Sequence, residues 1–395
     1  MSSGGKVPVT IRRGTPEDIE PILDLLTEYG LPRSYFEPFF LNDTSYRPEQ
    51  SWVVEQNGRL LSHLRIYDRW IRVGRAKLHI AGVGNVITAL DARGRGYSGQ
   101  IIQAMLPALQ QEGYSYSLLW THLPNLYGRY GWVPIEQELV RAVLPPSVLN
   151  AVRITPFEDD DLPAIMGIYE TANAERTGTT IRTLEYWLEQ PTWLHETRDN
   201  FLVAHDNAKD VVVGYVRGRI TQNAVEILEL GMKGDRFDIG RTLLAAISMH
   251  REEQLQGQFP PSLRGVFLHG EFGIIPEEAG LMGRVINLAE LLQVMEPVWR
   301  DRVREAETSE GVLWLATSSG HAVIQVTGRE LQMDVLRAAE VREAVVLLNE
   351  DQFAHLLFHG FDERADHIIG EQFDRSFLRA LFPEQDFVIW AADAF

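Results

Sequence analysis

The sequence predicts a mixed α/β (α+β) protein: two copies of one α/β module, then a different α+β region. Four observations carry this. Val152-Arg153-Ile154-Thr155-Pro156, followed by acids and an apolar helix through Ile165 and Ile168, echoes Ile11-Arg12-Arg13-Gly14-Thr15-Pro16 and its helix. Asp210–Ile220 echoes the strand at Leu60–Tyr67. Val225–Met232, with a helix from about Gly240 to His250, echoes the strand and helix around residues 85–110. The last hundred or so residues follow neither pattern. One supersecondary unit, copied, accounts for such a period. The expected domains are residues 1–145, 146–285 and 286–395, with Leu144-Pro145-Pro146-Ser147 as the first linker.

The elements follow in order. Thr15 can cap the first helix, Pro16 takes its first position, and Asp18 completes a box-like pattern. Ile19, Ile22, Leu23 and Leu26 then fall at helical spacing. Strands are expected at Ser51–Glu55, Leu60–Tyr67 and His79–Ala89, a helix from about Ser98 to Gln111, and a strand from Tyr114 to His122. In the last region Ala289–Trp299 reads as a helix. Gly311–Ala316 and Ala322–Thr327 read as a hairpin joined by Thr-Ser-Ser-Gly. Helical segments continue through Phe373–Leu381, and Phe387–Trp390 reads as a short apolar strand.

Composition narrows the function. The chain has 395 residues, 45% hydrophobic and 23% charged, an ordinary globular balance. It has no run of about 18 apolar residues, so no membrane-spanning helix is expected. The start, MSSGGKVPVTIRR, has no apolar core of a secretory signal, and a cytoplasmic location is expected. The absence of cysteine excludes disulfides, thiolate metal sites and a cysteine nucleophile. Lys and Arg number 37 against 55 Asp and Glu, a formal charge of −18. That balance disfavours a nucleic-acid partner. It favours cationic ones: amines, polyamines or basic peptides.

The most informative stretch runs from Asn85 through Gly99 to Ile102: strand, glycine turn, helix start. Three readings compete. Gly94, Gly96 and Gly99 match G-x-G-x-x-G, but the dinucleotide fingerprint wants an acid ending the next strand. That strand ends Trp120-Thr121-His122-Leu123. The second reading is R-x-x-G-x-G/A, the pyrophosphate loop of the GNAT acetyltransferases. Arg93 and Gly96 match it, and Ser98 stands where Gly or Ala is usual. Backbone N–H groups at a helix N-terminus can cradle a pyrophosphate, and Arg93 and Arg95 add positive charge. The third reading is a plain tight turn. Downstream, Leu126-Tyr127-Gly128-Arg129-Tyr130-Gly131-Trp132 resembles the GNAT stretch L-Y-x-x-x-G-F/W, at the expected distance. In that family the tyrosine protonates the departing CoA thiolate, a task a phenol can perform.

The whole chain resembles the enhanced intracellular survival (Eis) family of acetyltransferases. Leu126–Gly131 is similar to its I/L-Y-G-R-F/Y-G. Gly283-Arg284-Val285-Ile286-Asn287-Leu288 is similar to its entry into the last domain, and the chain ends in Phe. The resemblance implies tandem GNAT domains, the first catalytic and the second degenerate, and a sterol carrier protein-like C-terminal domain. It implies that Val86, Ile87 and Thr88 line the acetyl-pantetheine arm. Arg93, Gly94, Arg95, Gly96, Tyr97, Ser98 and Gly99 would hold the pyrophosphate. His122 would stand where the next strand opens to the cofactor. Tyr127 would be the general acid and the Phe395 α-carboxylate the general base. A free α-carboxyl, with a pKa of about 3.5, is a weak base for an ammonium, but it can orient the amine or accept a proton through water.

The implied reaction is direct acetyl transfer from acetyl-CoA, without metal, to primary amines of a polycationic small molecule such as an aminoglycoside. A hexamer is implied by resemblance alone. Two alternatives are a protein or peptide lysine acetyltransferase, and a lipid- or cation-binding protein with a vestigial site. The second module has lost the chemistry: its loop reads Gly234-Asp235-Arg236-Phe237-Asp238-Ile239-Gly240, and no tyrosine motif follows. Other signals read as structural. His355 and His359 are expected on a helix surface rather than on a metal, and His250 and His269 stand alone. Glu158-Asp159-Asp160-Asp161 is expected to be a helix start. Asp393 is a candidate acid of the acceptor pocket.

Overall fold

A computed structural model describes residues 8–145, 149–193, 200–221, 224–248, 254–268, 270–277, 280–306, 310–340 and 346–395. Pro146 and Ser147 of the expected linker, and His250 and His269, lie outside the described residues. The first helix starts at its cap. The Thr15 N–H and hydroxyl both donate to Asp18 Oδ2, at 2.8 and 3.1 Å. A 3-10 turn, Pro16–Asp18, passes into the α-helix Ile19–Leu26. The second module repeats this. The Glu158 N–H donates to Asp161 Oδ2 at 3.0 Å, and the turn Asp159–Asp161 leads into the helix Leu162–Asn173. The acidic cluster is therefore a helix start, where carboxylates meet unpaired N–H groups.

The described residues form two seven-stranded sheets and one of four strands. In the first sheet the long hairpin Arg59–Val73 and Ala76–Thr88 lies at the centre. Ala76–Thr88 then pairs in parallel with Tyr116–Thr121, but only where Ile80–Gly82 meets Tyr116–Leu118. Beyond Gly82 the two strands diverge and leave a cleft. The second sheet repeats the splay: Ala224–Met232 pairs in parallel with Gln254–Gly257 only over Ala224–Ile227. The sheets also interlock. Glu138–Val143 runs in the second sheet, between Gln254–Gly257 and Glu271–Pro276. Gly280–Val285 returns to the first, between Tyr116–Thr121 and Val133–Ile135. Gly283 permits this insertion: a Cβ there would lie 2.5 Å from Ile135 and 2.6 Å from the Tyr116 hydroxyl.

The last region packs on the outer face of the first sheet. Its helix Leu288–Glu305 is capped by the Asn287 side chain, which accepts the Glu290 N–H at 3.2 Å. Leu291, Met295 and Trp299 share one core with Ile71, Leu78, Ile80 and Leu118 of that sheet. The hairpin Glu310–Thr317 and Gly320–Thr327 continues into a third strand, Glu330–Leu336, where a helical segment is expected from the sequence.

Two expectations need correction. Phe387–Trp390 is not a sheet strand. It makes one bridge, Thr177 with Phe387, and the Val388 N–H donates to the Thr177 carbonyl at 2.9 Å. Its alternation serves two cores instead: Phe387 and Ile389 enter the core shared by the first sheet and last region, and Val388 and Trp390 that of the second module. The tail is a wedge between two cores. His355 and His359 are buried, not on a helix surface. Their rings stack at 5.0 Å, His355 Nε2 pairs with Asp362 at 2.8 Å, and Arg364 donates to His359 Nδ1 at 3.0 Å.

Asp393 lines the cavity around the end of the tail, and its carboxylate is taken up by neighbouring side chains. Its carboxylate accepts from Arg182 Nε at 2.8 Å, Arg182 Nη2 at 2.9 Å, the Tyr186 hydroxyl at 3.0 Å and Gln190 Nε2 at 3.1 Å. Arg182 pairs with Glu229 as well, and all three charged side chains are fully buried. This cluster clamps the tail onto the second module. Asp393→Ala should lower unfolding free energy by about 3–5 kcal/mol, because it breaks a buried ion pair. Urea denaturation checks this, and an unchanged midpoint would show that the cluster does not hold the tail.

Candidate active site

The glycine loop is built for close backbone approach. After the 3-10 turn Leu90–Ala92, Gly94 and Gly96 take φ of 76° and 77°, a conformation that favours glycine. Gly96 caps the helix Tyr97–Gln111. The first bond of the helix runs from the Gln100 N–H to the Gly96 carbonyl at 3.1 Å, so the N–H groups of Tyr97, Ser98 and Gly99 precede the ladder. Arg93 Nε donates to the Thr88 carbonyl at 3.2 Å, and Arg95 Nη2 to the Asp91 carbonyl at 3.0 Å. Both stay exposed and neither forms an ion pair among the described residues. A turn with free N–H groups and two tethered guanidinium groups fits a pyrophosphate. Gly99 also serves packing: a Cβ there would lie 2.1 Å from the Tyr130 hydroxyl, so it admits that ring against the helix. The Tyr97 side chain is buried too, leaving only its backbone to face a ligand.

The strand before the loop ends in a bulge. Arg65 pairs with Gly84 and His63 with Ile87, so three steps on one strand oppose two on the other. Asn85, inside the bulge, has φ of 49°. The Val86 carbonyl accepts the Tyr29 hydroxyl and the Ile87 carbonyl the Ser62 hydroxyl, the latter at 2.8 Å. Thr88 Oγ1 lies 2.9 Å from Ser62 Oγ. His122 is exposed one residue beyond Tyr116–Thr121.

Tyr127 sits in the short helix Pro124–Gly128 with its ring buried, edge-on to Trp132 at 6.2 Å. Burial pushes its phenol up to about 12. Tyr29 joins this neighbourhood, although nothing in the sequence marks it. Burial raises its phenol above the ordinary value, nearby Tyr127 and Tyr67 add to the rise, and Arg93 opposes it.

The tail ends in the cleft between the splayed strands. The Phe395 ring stacks on Tyr67 at 5.5 Å and meets Trp120 edge-on at 4.9 Å. It lies where a Cβ on Gly82 would be 2.4 Å from it, and the Phe395 carboxyl carbon is 3.3 Å from the Cβ position of Gly84. Phe395 thus lies beside the strand that carries Val86–Thr88. Gly82→Ala should displace the ring at a cost of about 1–3 kcal/mol and depress kcat with little loss of acetyl-CoA affinity. Steady-state kinetics with both substrates varied checks it, and an unchanged kcat would mean the ring position is immaterial.

Around Phe395 opens a cavity of about 660 Å³ between the first and second modules. Tyr35, Phe39, Tyr67, Trp120, Tyr186 and Trp193 contribute aromatic surface, and Glu226 and Glu277 contribute carboxylates. Burial raises the Glu277 carboxyl above its usual range, while Gln258 donates to it at 2.6 Å. Aromatic faces with carboxylates suit a cation. Arg219 lies 3.5 Å from Glu226, and Arg69 is held by Asp43 and Ser45. Among the described residues no group of three or more His, Asp or Glu is placed to hold a metal ion.

Residues 10–135 match the family of the acetyltransferase (GNAT) domain. The protein carries a GNAT acetyltransferase domain. GNAT domains use acetyl-CoA, and the chain is an acetyl-CoA-dependent N-acetyltransferase. No curated protein sequence matches it. Three solved structures share its fold over almost the full length. A conserved protein from Enterococcus faecalis is 16% identical, with 96% of this chain and 100% of that chain covered and a TM-score of 0.72. A GCN5-related N-acetyltransferase from Kribbella flavida is 14% identical, with 98% of each chain covered and a TM-score of 0.72. Eis1 from Mycobacterium abscessus is 15% identical, with 98% of this chain and 100% of that chain covered and a TM-score of 0.63. Such likeness is of fold. The described residues include no helix long and apolar enough to cross a membrane.

Proposed function

We propose that the protein transfers acetyl groups directly from acetyl-CoA to primary amines of a polycationic small molecule, with an aminoglycoside-like compound as the acceptor class. The observation that carries this is the aromatic and acidic cavity around Phe395, reached from the strand that leads into the glycine loop. The cofactor runs along Val86, Ile87 and Thr88, with its pyrophosphate on the Arg93–Gly99 turn and His122 at the opening. The amine enters among the aromatic rings, where Glu226 and Glu277 draw cations. The amine loses its ammonium proton to solvent, the neutral nitrogen attacks the thioester carbonyl, the Phe395 carboxylate takes up the proton the nitrogen then carries in excess, and the C–S bond breaks as Tyr127 protonates the leaving thiolate. The division into residues 1–145, 146–285 and 286–395 belongs to the same reading: a catalytic GNAT domain, a degenerate one, and a sterol carrier protein-like domain that delivers the tail. So do a cytoplasmic location and a hexamer.

The second reading, a lysine acetyltransferase of proteins or peptides, shares the acidic cavity. CoA-thiol release measured against aminoglycosides, polyamines and a lysine peptide separates the two. Faster release with multi-amine sugars is expected. Release with the peptide alone would replace the acceptor class, and no release with any amine would refute the proposal.

A further inference from the structure

We propose that His63 is a positioning residue for acetyl transfer: its Nδ1–H locks the bulge at Asn85 that sets the acetyl arm against the end of the tail. This rests on the acetyl-transfer reading above for its catalytic consequence, though not for the lock itself. The bulge puts an extra residue into the strand opposite His63, so the Asn85 carbonyl leaves the regular ladder. His63, fully buried, supplies the missing partner: Nδ1 lies 3.0 Å from that carbonyl oxygen. A carbonyl only accepts, so Nδ1 carries the proton and Nε2 must accept. Ser51 Oγ stands 3.1 Å from Nε2 and donates to it, and Tyr46 OH, 2.9 Å from Ser51 Oγ, donates in turn. The chain Tyr46, Ser51, His63, Asn85 therefore has one hydrogen-bond direction and one tautomer. Burial holds the ring neutral, with its pKa lowered to about 3, so the direction persists across the working pH range.

The lock has something to hold. A non-glycine residue at φ of 49° is strained and persists only when its surroundings fix it. Asn tolerates that region better than most residues, and the next carbonyl, at Val86, is fixed separately by Tyr29. The bulge also divides the two halves of the proposed reaction centre. On one side Gly84 abuts the Phe395 carboxyl carbon; on the other begin Val86, Ile87 and Thr88. If Asn85 relaxed, the acetyl carbonyl would shift relative to the tail. A misplacement of about 1 Å can cost about 10²-fold in rate while binding is largely kept.

Three variants test this. His63→Asn keeps an amide N–H near the Nδ1 position, His63→Gln moves it towards the Nε2 position, and His63→Leu removes it. The readouts are kcat, KM for acetyl-CoA, and hydrogen exchange of the backbone amides from Gly84 to Thr88 in the free protein. His63→Gln and His63→Leu should lower kcat at least tenfold with KM for acetyl-CoA within threefold, and should speed exchange in that segment. His63→Asn should restore both readouts. Equal impairment by Asn and Gln would overturn the proposal, because bulk rather than the Nδ1 bond would then matter; that comparison suffices if the Leu variant does not fold. Unchanged exchange in all variants would overturn it too. The exchange measurement needs no turnover, so a wild-type protein inactive towards every amine would count against the proposed function and leave the lock to be decided by exchange.

Discussion

Two glycines added after Phe395 are expected to lower kcat by about 10²-fold or more while the protein melts at an unchanged temperature. The expectation follows from how the tail is held. Asp393 is fixed in the buried cluster with Arg182, and the Phe395 ring is boxed by Gly82, Tyr67 and Trp120. Only Ala394 lies between these anchors. An extension leaves both in place but turns the Phe395 carboxylate into a neutral peptide carbonyl. Loss of an acid–base group costs about 10²–10⁴-fold. Deleting Phe395 should cost as much, and would also empty the aromatic box. Full activity in the extended protein would show that the carboxylate takes no part.

Tyr127→Phe should reduce kcat by about 10²-fold, with KM for acetyl-CoA nearly constant. The ring and its edge-on contact with Trp132 remain, so the fold should be spared. The pH profile gives an independent check. A general acid works protonated, and activity falls as pH rises through its pKa. Burial has raised the Tyr127 phenol to about 12, so that loss moves above the ordinary phenol range. The kcat of the wild type should therefore hold between pH 8 and 10, once the acceptor amine is deprotonated. A decline near pH 10 that disappears in Tyr127→Phe would mean that the phenol titrates there, in an exposed setting. Normal turnover by the variant would end the assignment.

Local chemistry was legible in the sequence wherever neighbours in the chain carry it. Thr15 to Asp18, the Gly94–Gly96 turn and the helix after it are short-range features, and the repeat at Val152 gave away the second module. Long-range features were not legible. Gly280–Val285 carries no mark that it will leave its neighbours and slot between Tyr116–Thr121 and Val133–Ile135. Phe387–Trp390 alternates like a strand because two cores flank it, and periodicity cannot distinguish a second core from a sheet. Asp393 does line the cavity, but nothing local shows that Arg182, Tyr186 and Gln190, some two hundred residues away in sequence, occupy its carboxylate. Tyr29 and His63 fell outside every motif, since their roles arise only where strands meet. Gly99 falls within the loop motif, and its missing Cβ also makes room for Tyr130, which no motif shows.

The most direct test of the central claim is to incubate the protein, untagged at its C-terminus, with acetyl-CoA labelled in the acetyl group and a multi-amine sugar. Both the sugar and the protein are then weighed by mass spectrometry. Direct transfer predicts label on the sugar amines, one acetyl per CoA released, and none on the protein. Label retained on the protein, or free labelled acetate with an unmodified sugar, would contradict it.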